Sequence, residues 1–156
     1  MRYLLVVDVQ EEFVKDRQGK KIYEKCLKFI ENQRYNYDAV IAAVYINRGN
    51  SNMDRLLDWN DCKQINAIDF IPDSAYYHGG YAIKEYPKVL PSDTIDIIGF
   101  DTDACVLSAS FDVFDLGCNM NIYSDYCWSS GGKDMHLAGL KIMKRQFGTA
   151  VKEFSR

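Results

Sequence analysis

The chain has 156 residues, of which 47% are hydrophobic, and its formal net charge is −3 at pH 7. This length suffices for a full hydrophobic core, so we expect a single domain over residues 1–156. The sequence has no basic stripe and no run of about 18 apolar residues, which argues against nucleic-acid binding and against a membrane span. Its five cysteines form an odd number without paired spacing, which predicts reduced thiols and a cytoplasmic location.

The first half of the chain alternates between predicted strands and helices. Apolar runs at 3–9 and 39–46 are typical of strands that are buried on both faces. Between them, apolar residues at helical spacing predict an amphipathic helix over 20–33. We interpret the polar and aromatic segment 47–78 as an irregular excursion over the sheet, with one short helix near 53–58.

The second half continues this alternation. A short strand is predicted over 80–84 and a buried strand over 94–100. A helix over 104–116, a strand over 119–124 and a helix over 132–147 follow. Strands that alternate with helices predict an α/β domain in which helices cover both faces of a parallel sheet.

Three chemically useful residues, Asp8, Lys84 and Cys105, fall at or just past the ends of predicted strands. Ligands of such sheets bind beyond the carboxyl ends of the strands, so we expect the three side chains to form one site. Cys105 would be a nucleophile, held as a thiolate by the helix N-terminus and by Lys84. Asp8 would accept the thiol proton and return it to a leaving amine, and the backbone N–H groups of Asp101 and Cys105 would hold the oxyanion.

These residues together resemble the isochorismatase-like cysteine hydrolases, the superfamily that includes nicotinamidases. The resemblance rests on Asp8-Val-Gln10 followed by Phe13, on Lys84 in the third strand, and on the motif Gly-x-x-Thr-Asp-x-Cys-Val at 99–106. The last motif is the specific one, whereas Asp-x-Gln alone is weak. Further matches extend the resemblance over nearly the whole chain: 108–112, Asp125 and His136.

The resemblance implies a single-domain, Rossmann-like three-layer sandwich whose mostly parallel sheet has the strand order 3-2-1-4-5-6. It also implies a Cys-Asp-Lys triad, which falls here on Cys105, Asp8 and Lys84. A cis peptide bond is implied before the oxyanion residue, between Phe100 and Asp101. Finally, the resemblance implies a homo-oligomer, either a dimer or a tetramer.

The chain departs from the metal-dependent nicotinamidases, which hold a metal through an aspartate and several histidines after the second strand. The corresponding segment 47–52 is Asn-Arg-Gly-Asn-Ser-Asn, and the chain has only two histidines, His78 and His136. We therefore predict neither a metal nor another cofactor. Asp101 stands where the family usually has a small or apolar residue. We expect its side chain to point away from the oxyanion site, because a carboxylate there would repel the developing charge.

Gln10, Phe13 and Trp59 are the predicted substrate-binding residues. The positions of Phe13 and Trp59 match the family, and aromatic side chains there would form a flat pocket suited to a planar amide or ring. The alternative is that these aromatic residues belong to the core. His136 lies on one helix face with apolar residues, so we interpret it as packed or capping rather than catalytic.

The leading hypothesis is a metal-independent cysteine hydrolase that cleaves a C–N bond in a small amide, carbamoyl or ureido compound through a thioester. One alternative is an isochorismatase-type vinyl ether hydrolase, which needs an acid such as Asp8 but no thiol. Another is a catalytically degenerate protein that keeps the fold and binds a small ligand. In each case the expected partner is a small molecule, and the sequence does not name it.

Overall fold

The computed structural model describes residues 1–47, 49, 51–58, 68–81 and 89–155. Within this part, one six-stranded sheet contains only parallel pairings. Its strands are β1 (Arg2–Val7), β2 (Ala39–Tyr45), β3 (Ser74–His78), β4 (Thr94–Phe100), β5 (Asn119–Trp128) and β6 (Val151–Lys152). They are arranged in the order β3-β2-β1-β4-β5-β6, which confirms the predicted order.

Helices cover both faces of this sheet. No helix among the described residues combines the length and the apolar character that a membrane crossing requires. The α-helices are α1 (Arg17–Gln33), α2 (Asn52–Leu57), α3 (Cys105–Asp115) and α4 (Lys133–Phe147). Short 3₁₀ helices span Glu11–Phe13, Arg34–Asn36 and Gly148–Ala150.

Strand β1 runs through the centre of the sheet and buries both of its faces. Leu4 and Val6 pack into the cluster that α1 covers, whereas Leu5 and Val7 pack into the cluster that α3 and α4 cover. Successive side chains of a strand point to opposite faces, so a strand covered on both sides requires a continuous apolar run. The predicted α/β architecture with helices on both faces is therefore confirmed.

One edge of the sheet differs from the sequence prediction. Strand β3 spans Ser74–His78, inside the segment that was predicted to be irregular. Gly80 and Tyr81, the described part of the predicted strand 80–84, lie in a bend. Within the described part of the chain, β3 is an edge strand that pairs only with β2 and leaves several side chains partly exposed. It therefore lacks the continuous apolar run that marks the central strands.

Strand β5 extends beyond its predicted end at 124. Strand β6, which the sequence did not predict, pairs with β5 at the edge of the sheet. The register of β5 against β4 shifts between Ile97 and Gly99, which marks a bulge. Beyond this shift, β5 reaches Trp128, whose carbonyl accepts a hydrogen bond from Thr102 N–H at 3.0 Å. The extension therefore supports the turn that leads into α3.

Candidate active site

Asp8 directly follows β1 and is completely buried. Its φ of 46° lies in the left-handed region that residues other than glycine rarely adopt, and its N–H donates to the carbonyl of Ala43 at 2.9 Å. Oδ1 lies 2.8 Å from Nε2 of His78, whereas Oδ2 is buried without a hydrogen-bond partner among the described residues. A buried carboxylate oxygen with unused acceptor capacity is costly for folding, and it is available to take a proton.

Cys105 is the first residue of α3, just past the turn that leaves β4, and it is buried. Gly99 in β4 permits this placement, because its φ is 132° and a Cβ atom there would lie only 1.9 Å from the carbonyl oxygen of Val7. Only glycine therefore lets β4 approach the end of β1 so closely. The approach brings the start of α3 near Asp8, whose charge acts on the thiol.

The surroundings of Cys105 favour the neutral thiol. Burial raises the pKa of Cys105 well above its ordinary value, the nearby carboxylates of Asp8 and Asp101 raise it further, and a backbone hydrogen bond from Asp101 lowers it. A helix N-terminus contributes roughly 0.3–1 kcal/mol, less than one pKa unit, whereas full burial shifts a pKa by up to about 3–5 units. Among the described residues, desolvation therefore outweighs the helix dipole and favours the neutral thiol. Lys84, the other group expected to hold a thiolate, lies outside them, so the resting thiolate stays a prediction.

The peptide bond between Phe100 and Asp101 is cis, as the resemblance implied. The Asp101 carboxylate accepts a hydrogen bond from Ser130 N–H at 2.7 Å and another from the Ser130 hydroxyl. Burial raises the pKa of Asp101, and the charges of Asp103 and Asp8 raise it further, whereas the hydrogen bonds from Ser130 lower it. The pKa that results is about 6. The side chain is thus held by the loop after β5, while the backbone of Asp101 faces the sulfur of Cys105.

His136 supports this turn from α4. Its Nδ1 lies 2.8 Å from the hydroxyl oxygen of Thr102, and its ring packs on Trp128 with centroids 4.6 Å apart. Burial lowers the pKa of His136 against the charge of Asp103, which favours the neutral ring. On the same helix, a Cβ atom at Gly139 would lie 2.8 Å from the backbone of Asp103, so α4 packs directly on the turn. The interpretation of His136 as a packed residue agrees with these contacts.

His78 is the direct partner of Asp8 that the sequence analysis missed. It is the last residue of β3, its Nε2 faces Asp8, and its Nδ1 faces the carbonyl of Gly80. Lys84 was chosen for its place on the third strand, but that strand ends at His78, and Lys84 lies outside the described residues. The available signal was that one of only two histidines lies two residues before the predicted strand 80–84.

Of the three predicted substrate-binding residues, the structure describes Gln10 and Phe13, and both are buried. Gln10 is fully buried, its Nε2–H donates to the carbonyl of Tyr45 at 3.1 Å, and its Oε1 accepts from the N–H of Tyr45 at 2.9 Å. Gln10 therefore ties the chain after β1 to β2, and its predicted contact with a substrate stays a prediction. Phe13 is buried in the core cluster, with its ring edge-to-face to Tyr45 at 5.7 Å. Trp59 lies outside the described residues.

Tyr81 is a second residue that the sequence analysis did not select. Burial raises the pKa of Tyr81, and the charges of Cys105, Asp101 and Asp103 raise it further. Its side chain is exposed, and it lies close enough to Cys105 for the two groups to interact electrostatically. A phenol in this place can donate a hydrogen bond to a ligand that approaches Cys105.

Among the described residues, no group of three or more His, Cys, Asp or Glu side chains is arranged to hold a metal ion. His78 and His136 contact different partners, Asp8 and Thr102. The sequence analysis expected no metal ligands in segment 47–52, of which positions 48 and 50 lie outside the described part. The absence of a metal from the reaction stays a prediction.

Comparison with known proteins agrees with this geometry. Residues 78–153 match the family model of the isochorismatase domain, and the match begins at the histidine that contacts Asp8. The chain is isochorismatase-like. The resemblance predicted from the sequence is thus confirmed, and it supports a hydrolase of this superfamily. None of the curated proteins matches the sequence well enough to count as a relative.

Solved structures share the isochorismatase-like fold along almost the whole chain. An isochorismatase-like hydrolase from Alkaliphilus metalliredigens is 19% identical, with a TM-score of 0.77 over 97% of this chain and 94% of that one. N-carbamoylsarcosine amidase from Thermoplasma acidophilum is 18% identical, with a TM-score of 0.75 over 97% of this chain and 95% of that one. Nicotinamidase PncA from Bacillus subtilis is 15% identical, with a TM-score of 0.74 over 97% of this chain and 99% of that one. At these identities the similarity establishes the fold and leaves the substrate open.

Proposed function

We propose that this protein is a cysteine hydrolase that cleaves the C–N bond of a small amide, carbamoyl or ureido compound without a metal ion. The observation that supports this most is the buried Cys105 thiol at the start of α3, close to the buried carboxylate of Asp8 with its unused oxygen. Nicotinamidases and N-carbamoylsarcosine amidase share the fold, and their names describe substrates of this C–N class. The cytoplasmic location and the homo-oligomer stay predictions.

The acylation step uses Asp8 as general base. As the sulfur of Cys105 bonds to the substrate carbonyl carbon, Oδ2 of Asp8 takes the thiol proton, and the carbonyl π electrons move to oxygen. The backbone N–H groups of Asp101 and Cys105 stabilise that oxyanion. When the intermediate collapses, the C–N bond breaks, Asp8 returns the proton to the leaving nitrogen, and a thioester remains on Cys105.

Deacylation repeats this cycle with water as the nucleophile. Asp8 takes a proton from water as the oxygen attacks the thioester carbonyl, and then returns it to the departing sulfur. The products are the acid and a neutral Cys105 thiol. Because the pKa of Cys105 is raised, the proton leaves sulfur only when a substrate is in place to be attacked.

The test is a panel of small amides, carbamoyl compounds and ureides, with released ammonia or amine measured for the wild type and for Cys105→Ala. Cys118→Ala is the matched control, since Cys118 contacts the carbonyl of Leu90, away from this site. We expect turnover in the wild type and the control and none in Cys105→Ala. Release of ammonia or amine that persists in Cys105→Ala would show that this thiol is not the nucleophile. Cleavage of a vinyl ether that is kept in Cys105→Ala would instead favour the vinyl ether chemistry, which needs no thiol. A wild type that binds panel compounds without turnover would favour the degenerate binding protein.

A further inference from the structure

We propose that His78 acts as the cationic partner of Asp8, in the place that the superfamily resemblance assigned to a lysine, and that its charge keeps Asp8 ionised. His78 is thus a positioning residue that works through Asp8. The kinetic part of this inference rests on the proposed hydrolase function, whereas the protonation state of His78 does not. The two can therefore fail separately.

The contacts of the ring define its protonation. Nε2 lies 2.8 Å from Oδ1 of Asp8, and Nδ1 faces the carbonyl oxygen of Gly80. A carboxylate and a carbonyl are both acceptors, so each ring nitrogen must donate a hydrogen to satisfy its contact. A neutral imidazole carries only one N–H, whereas the imidazolium carries two. The geometry is therefore satisfied by the imidazolium.

Burial strengthens this assignment. The side chains of His78 and Asp8 are 2% and 0% exposed, so neither charge can be balanced by bulk water. A buried ionised carboxylate needs a partner of opposite charge or becomes protonated, and a protonated Asp8 cannot act as a base. Among the described residues, His78 is the side chain that forms an ion pair with Asp8.

The groups around His78 favour its charged form. Burial lowers the pKa of His78, but the hydrogen bond and charge of Asp8 and the carbonyl of Gly80 outweigh it, so the pKa is raised overall. The ring of Tyr45, in β2, packs edge-to-face on the ring of His78, with the ring centroids 5.8 Å apart. At the start of α3 and in the turn before it, Cys105 and Asp101 both lie close enough to Asp8 for its charge to raise their pKa values.

A histidine in place of a lysine makes this charge sensitive to pH. A lysine with an ordinary pKa near 10.4 stays charged at physiological pH, whereas a histidine loses its charge as the pH rises through its own pKa. Deprotonation of His78 on the alkaline side removes the pair. The expected profile of kcat/KM falls at alkaline pH along a limb that belongs to His78.

The first experiment needs no substrate. Nitrogen NMR of the two histidine rings, assigned with His78→Gln, measures the protonation of His78 between pH 5 and 9 in the wild type and in Asp8→Asn. We expect both nitrogens of His78 to be protonated at pH 6.5 in the wild type, and the midpoint to fall by at least about one pH unit in Asp8→Asn. A neutral His78 at pH 6.5, or the same midpoint in both proteins, overturns the proposal.

The second experiment compares pH profiles of turnover for the wild type, His78→Lys and His78→Gln. Lysine keeps the charge, so we expect its alkaline limb to move upward by at least about one pH unit. Glutamine keeps one N–H donor without the charge, so we expect kcat to fall at least about tenfold with little change in KM. His136→Gln is the control for limb position. An alkaline limb that stays in place in His78→Lys, or full turnover in His78→Gln, contradicts the role given to His78.

Discussion

Two of the described aspartates are completely buried, yet their surroundings differ. Asp8, at the carboxyl end of β1, has a close contact to His78 through Oδ1 and leaves Oδ2 without a partner among the described residues. Asp96, near the amino end of β4, is saturated with donors. Its oxygens accept hydrogen bonds from Arg2 at 2.6 Å, Tyr37 at 2.8 Å, Tyr123 at 2.8 Å and Asn121 at 2.6 Å.

The comparison separates a structural carboxylate from a reactive one. At Asp96, burial and the hydrogen bond to the carboxylate raise the pKa of Tyr123 to about 12, so this phenol stays a donor. A carboxylate whose lone pairs are all used has little capacity to take a proton. Asp8 has that capacity, and it faces the only thiol that begins a described helix. The free oxygen together with the neighbouring thiol, rather than burial alone, distinguishes Asp8 from Asp96.

The largest expected effect is the loss of turnover in Asp8→Asn. Asparagine keeps the shape of the side chain but cannot take the proton of Cys105, so we expect kcat to fall about 10²–10⁴-fold. Steady-state kinetics on a substrate from the amide panel measures this. Thermal and urea unfolding serve as the control for folding. Turnover within a factor of about three of the wild type would show that Asp8 is not the base.

The opposite pattern is expected for Asp96→Asn. Asparagine presents an amide nitrogen where an oxygen accepted several donors, so we expect the free energy of unfolding to fall by about 2–3 kcal/mol. Urea denaturation measures the loss, and kcat per folded molecule should stay close to the wild-type value. If Asp96→Asn abolished turnover in a stably folded protein, the division between the two aspartates would be wrong.

The sequence predicted the half of the site that rests on strong local patterns. The continuous apolar run of β1 placed Asp8 at a strand end, and the motif at 99–106 placed Cys105 at a helix start. His78 was missed because its edge strand is short and partly exposed, so no apolar run marked it. The thiol state of Cys105 also could not be predicted, because it depends on burial that only the folded chain creates.

A smaller effect on stability is expected at Asp101. Its side-chain partner Ser130 lies 29 residues further along the chain, so the sequence did not predict this contact. The pKa of Asp101 is raised from 3.8 to about 6, so the folded protein binds this proton more tightly than the unfolded chain. The charged form therefore destabilises the fold above pH 6, and stability from this group increases as the pH falls from about 6 to 4.

Asp101→Asn removes that charge and keeps an oxygen for the N–H of Ser130. We expect its free energy of unfolding at pH 7.5 to exceed that of the wild type by about 1–2 kcal/mol, with the difference disappearing toward pH 4. Urea denaturation at a series of pH values measures this, and turnover should be kept because the backbone N–H serves the oxyanion. A difference that is independent of pH would contradict the assigned pKa.

The most direct test of the Asp8–Cys105 pair is the pH dependence of Cys105 alkylation by iodoacetamide, followed by mass spectrometry in the wild type and in Asp8→Asn. Asp8 raises the pKa of the thiol, so its neutral replacement should lower that pKa. We predict that the wild-type rate still rises at pH 10, whereas the Asp8→Asn rate levels off at a lower pH although turnover is lost. Identical alkylation profiles in the two proteins would contradict the pairing of this thiol with this carboxylate.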